Sequence, residues 1–196
     1  MFGILTTDLD RSLLSIRTGQ KPRFELRDDA LELVGLPIHP DPRTFLALHP
    51  PGVRSYFAAL ALRQVRLWAG GGDGTEIAYR RDEKQELNRR ILEATVDEAA
   101  RRELPLLFVL FYDAYDLEKS GWREAFLRAE MERLGAAYLD TKELIVRRTA
   151  ERSVPWADFY RATDAHPSAS GNRAIAEALA LEWKSGRLAQ RSPHTD

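Results

Sequence analysis

In the stretch Thr163-Asp164-Ala165-His166-Pro167-Ser168-Ala169-Ser170-Gly171-Asn172-Arg173, an acid and an imidazole lie two residues apart on a turn that opens a helix. An Asp so placed can orient a His, and a His so held can act as general base or acid. Such a pair needs a nucleophile to activate before it does acyl chemistry. The plainer reading is a polar turn in which Asp164 helps start the helix and His166 is exposed. His39, His49 and His194 lie near prolines or in the tail. No spacing links them to a carboxylate as metal ligands.

The elements that must position this pair alternate between strand and helix. Residues 2–5 are a short apolar run that halts at Thr6-Thr7-Asp8, a buried strand delivering a polar loop. A domain that begins mid-strand is unusual, because termini normally fray outside the core. A short helix is expected over 10–17. Alternation on both sides of Asp28-Asp29 predicts a β-hairpin over about 22–36. Prolines 37, 40, 42, 50 and 51 punctuate an irregular or short-helical stretch around Phe45 and Leu46. Residues 53–68 read as helix, with Tyr56, Leu60 and Leu67 among its apolar positions. The glycines of 70–74 then break it; without a preceding strand and a following Lys-Ser/Thr they read as a surface turn, not a phosphate loop.

Residues 83–103 form a charged helix with Leu87, Ile91, Ala94 and Thr95 on one face. The run 105–111 is the clearest buried strand, apolar throughout and ending at Tyr112-Asp113. Ser120 is placed to cap a helix over 122–134 that Gly135 closes. A short strand ends at Asp140, and a helix is expected over 141–148. The last helix, 171–184, carries Ile175, Leu179 and Trp183 at i, i+4 and i+8. The tail over 191–196 is expected to be loose. This alternation predicts one α/β domain over 1–190 with a mainly parallel sheet. The loops after Leu5, Phe111 and Leu139 should then share one edge with the Asp164–His166 loop.

The pattern Asp-x-His-Pro-Ser-x-x-Gly-Asn before an Ala-rich final helix resembles the last sequence block of the SGNH/GDSL hydrolase family. Members have a three-layer, flavodoxin-like α/β fold and cleave acyl or acetyl esters by Ser-His-Asp chemistry. The resemblance makes His166 the general base and Asp164 the acid that orients it, with a gap one residue shorter than in many members. A strand ending at Thr6-Thr7-Asp8, followed by Lys21-Pro22-Arg23-Phe24 and a hairpin, is similar to the middle of some members. It puts Thr7 and Asp8 where the family has an Asn-Asp pair, with Thr7 at the oxyanion-hole position. The other reading of Thr7 and Asp8 is as caps of the following short helix.

The chain contains no Gly-Asp-Ser; the nearest look-alike, Gly72-Asp73-Gly74, lacks the hydroxyl, and Ser12, Ser15, Ser55, Ser120 and Ser153 follow no early strand-to-helix turn. The resemblance therefore implies an N-terminally incomplete hydrolase whose nucleophile block would precede Met1, inactive alone. It implies an ester as small-molecule substrate and neither metal nor organic cofactor. The alternative is a non-catalytic α/β binding or assembly module. Asp113, Tyr115 and Asp116 are read as solvated loop carboxylates and a neighbour, or as the site's rim. Trp156, Phe159 and Tyr160 are read as packing for the last loop, or as a substrate platform.

Composition narrows the class. The 196 residues are 44% hydrophobic and 30% charged, as in a soluble globular protein. A net charge of -1 gives no reason to expect nucleic acid or an anionic membrane as partner. There is no cysteine, hence no disulfide or thiolate site. No segment has the roughly 20 apolar residues of an integral membrane span. Nor does the N-terminus read as a signal peptide. The default expectation is cytoplasmic, with export left open by the start site.

Overall fold

The computed structural model describes residues 1–14, 20–48, 50, 55, 57–58, 60–62, 64–65, 80–113, 116–117, 120–153, 155–161 and 166–185. Asp164, Tyr115, Ser15, His49, His194, Tyr56, Leu67, the glycines of 70–74, the tail over 191–196 and the side chain of Trp156 lie outside it. In chain order the elements are β1 (Phe2–Leu5), α1 (Asp8–Arg11), β2 (Arg23–Arg27), β3 (Ala30–Val34), α2 (Pro42–Leu48), α3 (Arg81–Arg101), β4 (Phe108–Phe111), α4 (Trp122–Arg133), β5 (Tyr138–Asp140), α5 (Thr141–Arg152), a 3-10 turn (Trp156–Phe159) and α6 (Ala169–Lys184). The described residues between 57 and 65 are also helical. The chain is thus mixed α/β, with a three-stranded parallel sheet in the order β1-β4-β5 and a separate antiparallel pair. Its contacts divide it into two compact units, residues 1–8 with 92–196, and residues 9–91.

The first unit is built on β4. Phe108, Val109 and Leu110 are fully buried, as the middle strand of a parallel sheet demands. Leu5 stands opposite Phe111, and Leu110 opposite Asp140, so the carboxyl ends of all three strands share one edge. One core cluster joins Leu107 and Val109 to Ala137, Leu144 of α5, and Ile175 and Ala178 of α6; a second joins Ile145 to Phe159, Tyr160 and Ala174. Phe159 and Tyr160 therefore serve as packing.

Several local expectations are corrected. Ser120 does not cap α4: the N-cap is Gly121, and no side chain bonds the helix start. Gly135 does close it, at φ 58°, with its N–H on Glu132 O at 3.1 Å and the Ala136 N–H on Met131 O at 3.0 Å. This is the Schellman pattern that glycine favours. Trp183 is 73% exposed. Steps of four residues advance 400°, so i+8 has drifted about 80° off the starting face, whereas i+3 and i+4 steps straddle it. The buried stripe of α6 is instead Gly171, Ala174, Ile175 and Ala178. On α3, Ala94 is exposed and the buried positions are Lys84, Leu87, Asn88 and Leu92.

In the second unit the hairpin pairs Phe24 with Leu33 and Leu26 with Leu31. Asp28 and Asp29 turn it with φ of 48° and 63°, the two positive values that match strand twist. α3 begins at Arg81 because the Glu83 carboxylate reaches back to the Arg80 N–H at 2.9 Å, half of a capping box. Leu60, one of the apolar positions of the helix expected over 53–68, is exposed. Asp10 and Lys84 form a buried ion pair at 2.7 Å, and the Asn88 amide donates to Leu9 O at 2.9 Å and Lys84 O at 2.7 Å.

Candidate functional site

The carboxyl edge of the parallel sheet gathers polar side chains that the apolar strands deliver to it. Thr6 follows β1; its N–H donates to Phe111 O at 3.0 Å, and its fully buried hydroxyl donates to Asp116 Oδ2. Asp116 lies past β4, with its own N–H on Asp113 Oδ1 at 3.0 Å and its carbonyl accepting the Lys142 ammonium at 2.8 Å. Burial, and then the negative charge of Asp113, hold the Asp116 carboxyl above its ordinary range, against the Thr6 hydroxyl, Arg123 and Lys142. From sequence Asp113 and Asp116 read as solvated loop groups or as the rim of the site. Asp116 is tied into the strand ends.

Beside it, Asp140 closes β5 and caps α5, its Oδ1 accepting the N–H of Lys142 at 2.9 Å and of Glu143 at 3.2 Å. Its Oδ2 accepts the buried Tyr112 hydroxyl at 2.9 Å and the Arg128 guanidinium at 2.8 Å. Desolvation and the Asp140 charge push the Tyr112 phenol far upward, so it stays a neutral donor. Lys142 also meets Glu124 at 2.6 Å and Ser120 Oγ at 3.4 Å.

The His166 segment joins this edge through Tyr160. Tyr160 and Pro167 form an isolated antiparallel bridge, the Arg161 N–H donates to His166 O at 2.8 Å, and the Ser168 N–H donates to Phe159 O at 2.8 Å. The Tyr160 phenol is raised by burial and by the fields of Asp113, Asp116 and Asp140, the carboxylates of the strand ends. Ser168 caps α6 by accepting the Gly171 N–H at 3.2 Å. A Cβ on Gly171 would lie 2.2 Å from Phe159 O, so only glycine fits. The His166 side chain is exposed.

Of the residues expected at the site, His166 and Thr7 are thus described near strand-end elements, and Asp164 lies outside the described residues. The Thr7 Oγ1 is buried and makes no hydrogen bond among the described residues. Asp8 opens α1, and its Oδ2 accepts the Leu5 N–H at 3.0 Å, so it serves the backbone. Thr6, Tyr112, Asp140 and Lys142 were not singled out from sequence. Thr6, Tyr112 and Asp140 were legible as strand-end polar groups, while Lys142 carried no signal. No group of three or more His, Asp or Glu among the described residues is arranged to hold a metal ion. Compared with protein-family models, curated proteins and solved structures, the chain matches none of them.

Proposed function

We propose that the chain supplies the acid–base half of an SGNH/GDSL-type ester hydrolase, its parallel strands belonging to a flavodoxin-like sheet. One observation carries this reading. The fold accounts for Pro167 (bridge), Ser168 (cap) and Gly171 (close approach), and leaves His166, the motif's imidazole, exposed. In this reading His166 takes the proton of a serine hydroxyl and returns it to the leaving alcohol. Asp164 holds the imidazole, and the Thr7 hydroxyl donates to the oxyanion of the tetrahedral intermediate.

A second reading, a non-catalytic α/β binding module, is favoured by the serines nearest His166. Ser168 and Ser170 both donate to Asp158 O at 2.8 Å, so neither is set as a nucleophile. Hydrolysis of p-nitrophenyl acetate separates the two. The 196-residue chain is expected to stay near background. A chain extended in frame upstream to include a Gly-Asp-Ser block is expected to gain activity that His166→Ala lowers by roughly 10³-fold or more. An extended chain without esterase activity supports the binding module. Activity indifferent to His166→Ala rejects the role given to His166.

A further inference from the structure

In residues 9–91 the hairpin leaves much of its apolar face open. Phe24 and Leu33, paired across it, are 38% and 51% exposed. A two-stranded hairpin is marginal by itself and depends on what its apolar face meets. Beside β2 lies a cleft of about 580 Å³, walled by residues 23–26 and by the first turns of α3. That volume falls within the range of pockets that hold small organic ligands. Phe24 and Leu26, two apart and so on one face of β2, share its lining with the buried Leu13 and Leu87. On the helical wall Glu83, Glu86 and Leu87 stand at i, i+3 and i+4, one face of α3.

The charged groups around the cleft are mostly spent on one another. Arg23 donates to Glu25 Oε1 through Nε at 3.1 Å and through Nη2, and to Leu13 O through Nη1 at 3.0 Å. Arg27 meets the other oxygen of Glu25 at 3.3 Å, Arg80 meets Asp82 at 3.0 Å, and Arg89 and Arg90 both meet Glu86. Glu83 is the exception. Its Oε2 accepts the Arg80 N–H, and among the described residues no cation pairs with this exposed carboxylate. We infer that the cleft binds a small organic cation, an alkyl- or arylalkyl-ammonium ion. Its apolar body lies against Leu13, Phe24, Leu26 and Leu87, and its ammonium group meets Glu83. A ligand with a carboxylate would set that charge against Glu83, while the Arg23 guanidinium is already turned to Glu25 and Leu13. The roughly half positive charge at the start of α3 is outweighed by Asp82 and Glu83 in its first turn. The inference is independent of the acid–base reading of His166.

Titration of the full, isotopically labelled 196-residue chain with n-octylammonium, octanoate and 1-octanol, followed by backbone amide shifts, tests it. Among the described residues no helix is long and apolar enough to cross a membrane, and the titration is run without detergent, which would compete for the cleft. Octylammonium should saturably shift the amides of Phe24, Leu26, Glu83 and Leu87, and bind at least about fivefold more tightly than octanoate. Added salt should narrow that gap, since screening weakens an exposed charge contact. Glu83→Gln keeps an acceptor for the Arg80 N–H, so α3 still starts there, and should bring octylammonium down to the level of octanol. Phe24→Ala, at a part-exposed position, should weaken all three ligands several-fold. The comparison of the three ligands on the unsubstituted chain decides the matter if either variant fails to fold. Any of these results overturns the inference: no saturable shift at the cleft with octylammonium, shifts scattered over the surface, octanoate bound as tightly as octylammonium, a Glu83→Gln chain that keeps the full preference for the ammonium ion, or a Phe24→Ala chain that binds all three unchanged.

Discussion

Asp116 is retained against its own solvation. Its folded pKa lies above the unfolded value, so the fold holds its proton more tightly and ionisation opposes folding. The stability linked to this group is full below the unfolded value of 3.8 and is lost as pH rises through the folded value. Asp116→Asn is therefore expected to melt at a higher temperature than wild type at neutral pH, with the gain vanishing near pH 3; thermal melts at the two pH values check it. An equal gain at both would place the effect elsewhere. Asp140 is held by geometry: four donors converge on its two oxygens. Asp140→Ala strips the α5 cap and strands the buried Tyr112 hydroxyl, for an expected loss of about 3 kcal/mol in urea unfolding. Asp140→Asn keeps the acceptor and should lose less. The sequence showed a carboxylate ending a strand. It did not show the network, since Tyr112, Arg128 and Lys142 come from three elements that only tertiary packing brings together.

At the level of elements, what was legible followed from local chemistry. The three parallel strands stood out as apolar runs ending in polar residues, and the hairpin as alternation about Asp28-Asp29. Element edges were misjudged where a non-local or backward-reaching bond set them, as when Glu83 begins α3 two residues early or when Ser120 sits beside Lys142 instead of capping α4. The start of α6 is the most constrained junction. The Phe159 carbonyl occupies the space a side chain at 171 would need, so Gly171→Ala must push the helix off the 3-10 turn. A loss of about 2 kcal/mol or more is expected in chemical denaturation, within the range for strained core positions. A neutral Gly171→Ala would show that the junction yields. The same displacement would move Pro167 and, with it, the backbone that carries His166.

Across the whole molecule, the two units are stabilised by different means. The parallel unit rests on apolar clusters about β4, and residues 9–91 rest in part on the buried Asp10–Lys84 pair with Asn88. Removing one partner of a buried pair leaves an uncompensated charge, so Lys84→Ala should cost roughly 3–5 kcal/mol. Amide hydrogen exchange should rise first in 9–91, the unit that contains both charges, and later in β4. Uniform acceleration would mean that the two units open as one. The Leu5–Asp8 bond bears on association. In a parallel strand successive N–H groups point to opposite sides, and Phe2 and Thr6 spend theirs on the β4 side. The Leu5 N–H therefore faces outward, along a flank of β1 that has no partner strand among the described residues. By occupying that donor, Asp8 shortens the stretch of backbone on which a stray chain could zip up, and sets a carboxylate where such a chain would have to lie. Of the two readings the sequence offered for Asp8, a partner in ester chemistry and a cap for the local backbone, the bond to the Leu5 N–H is of the second kind.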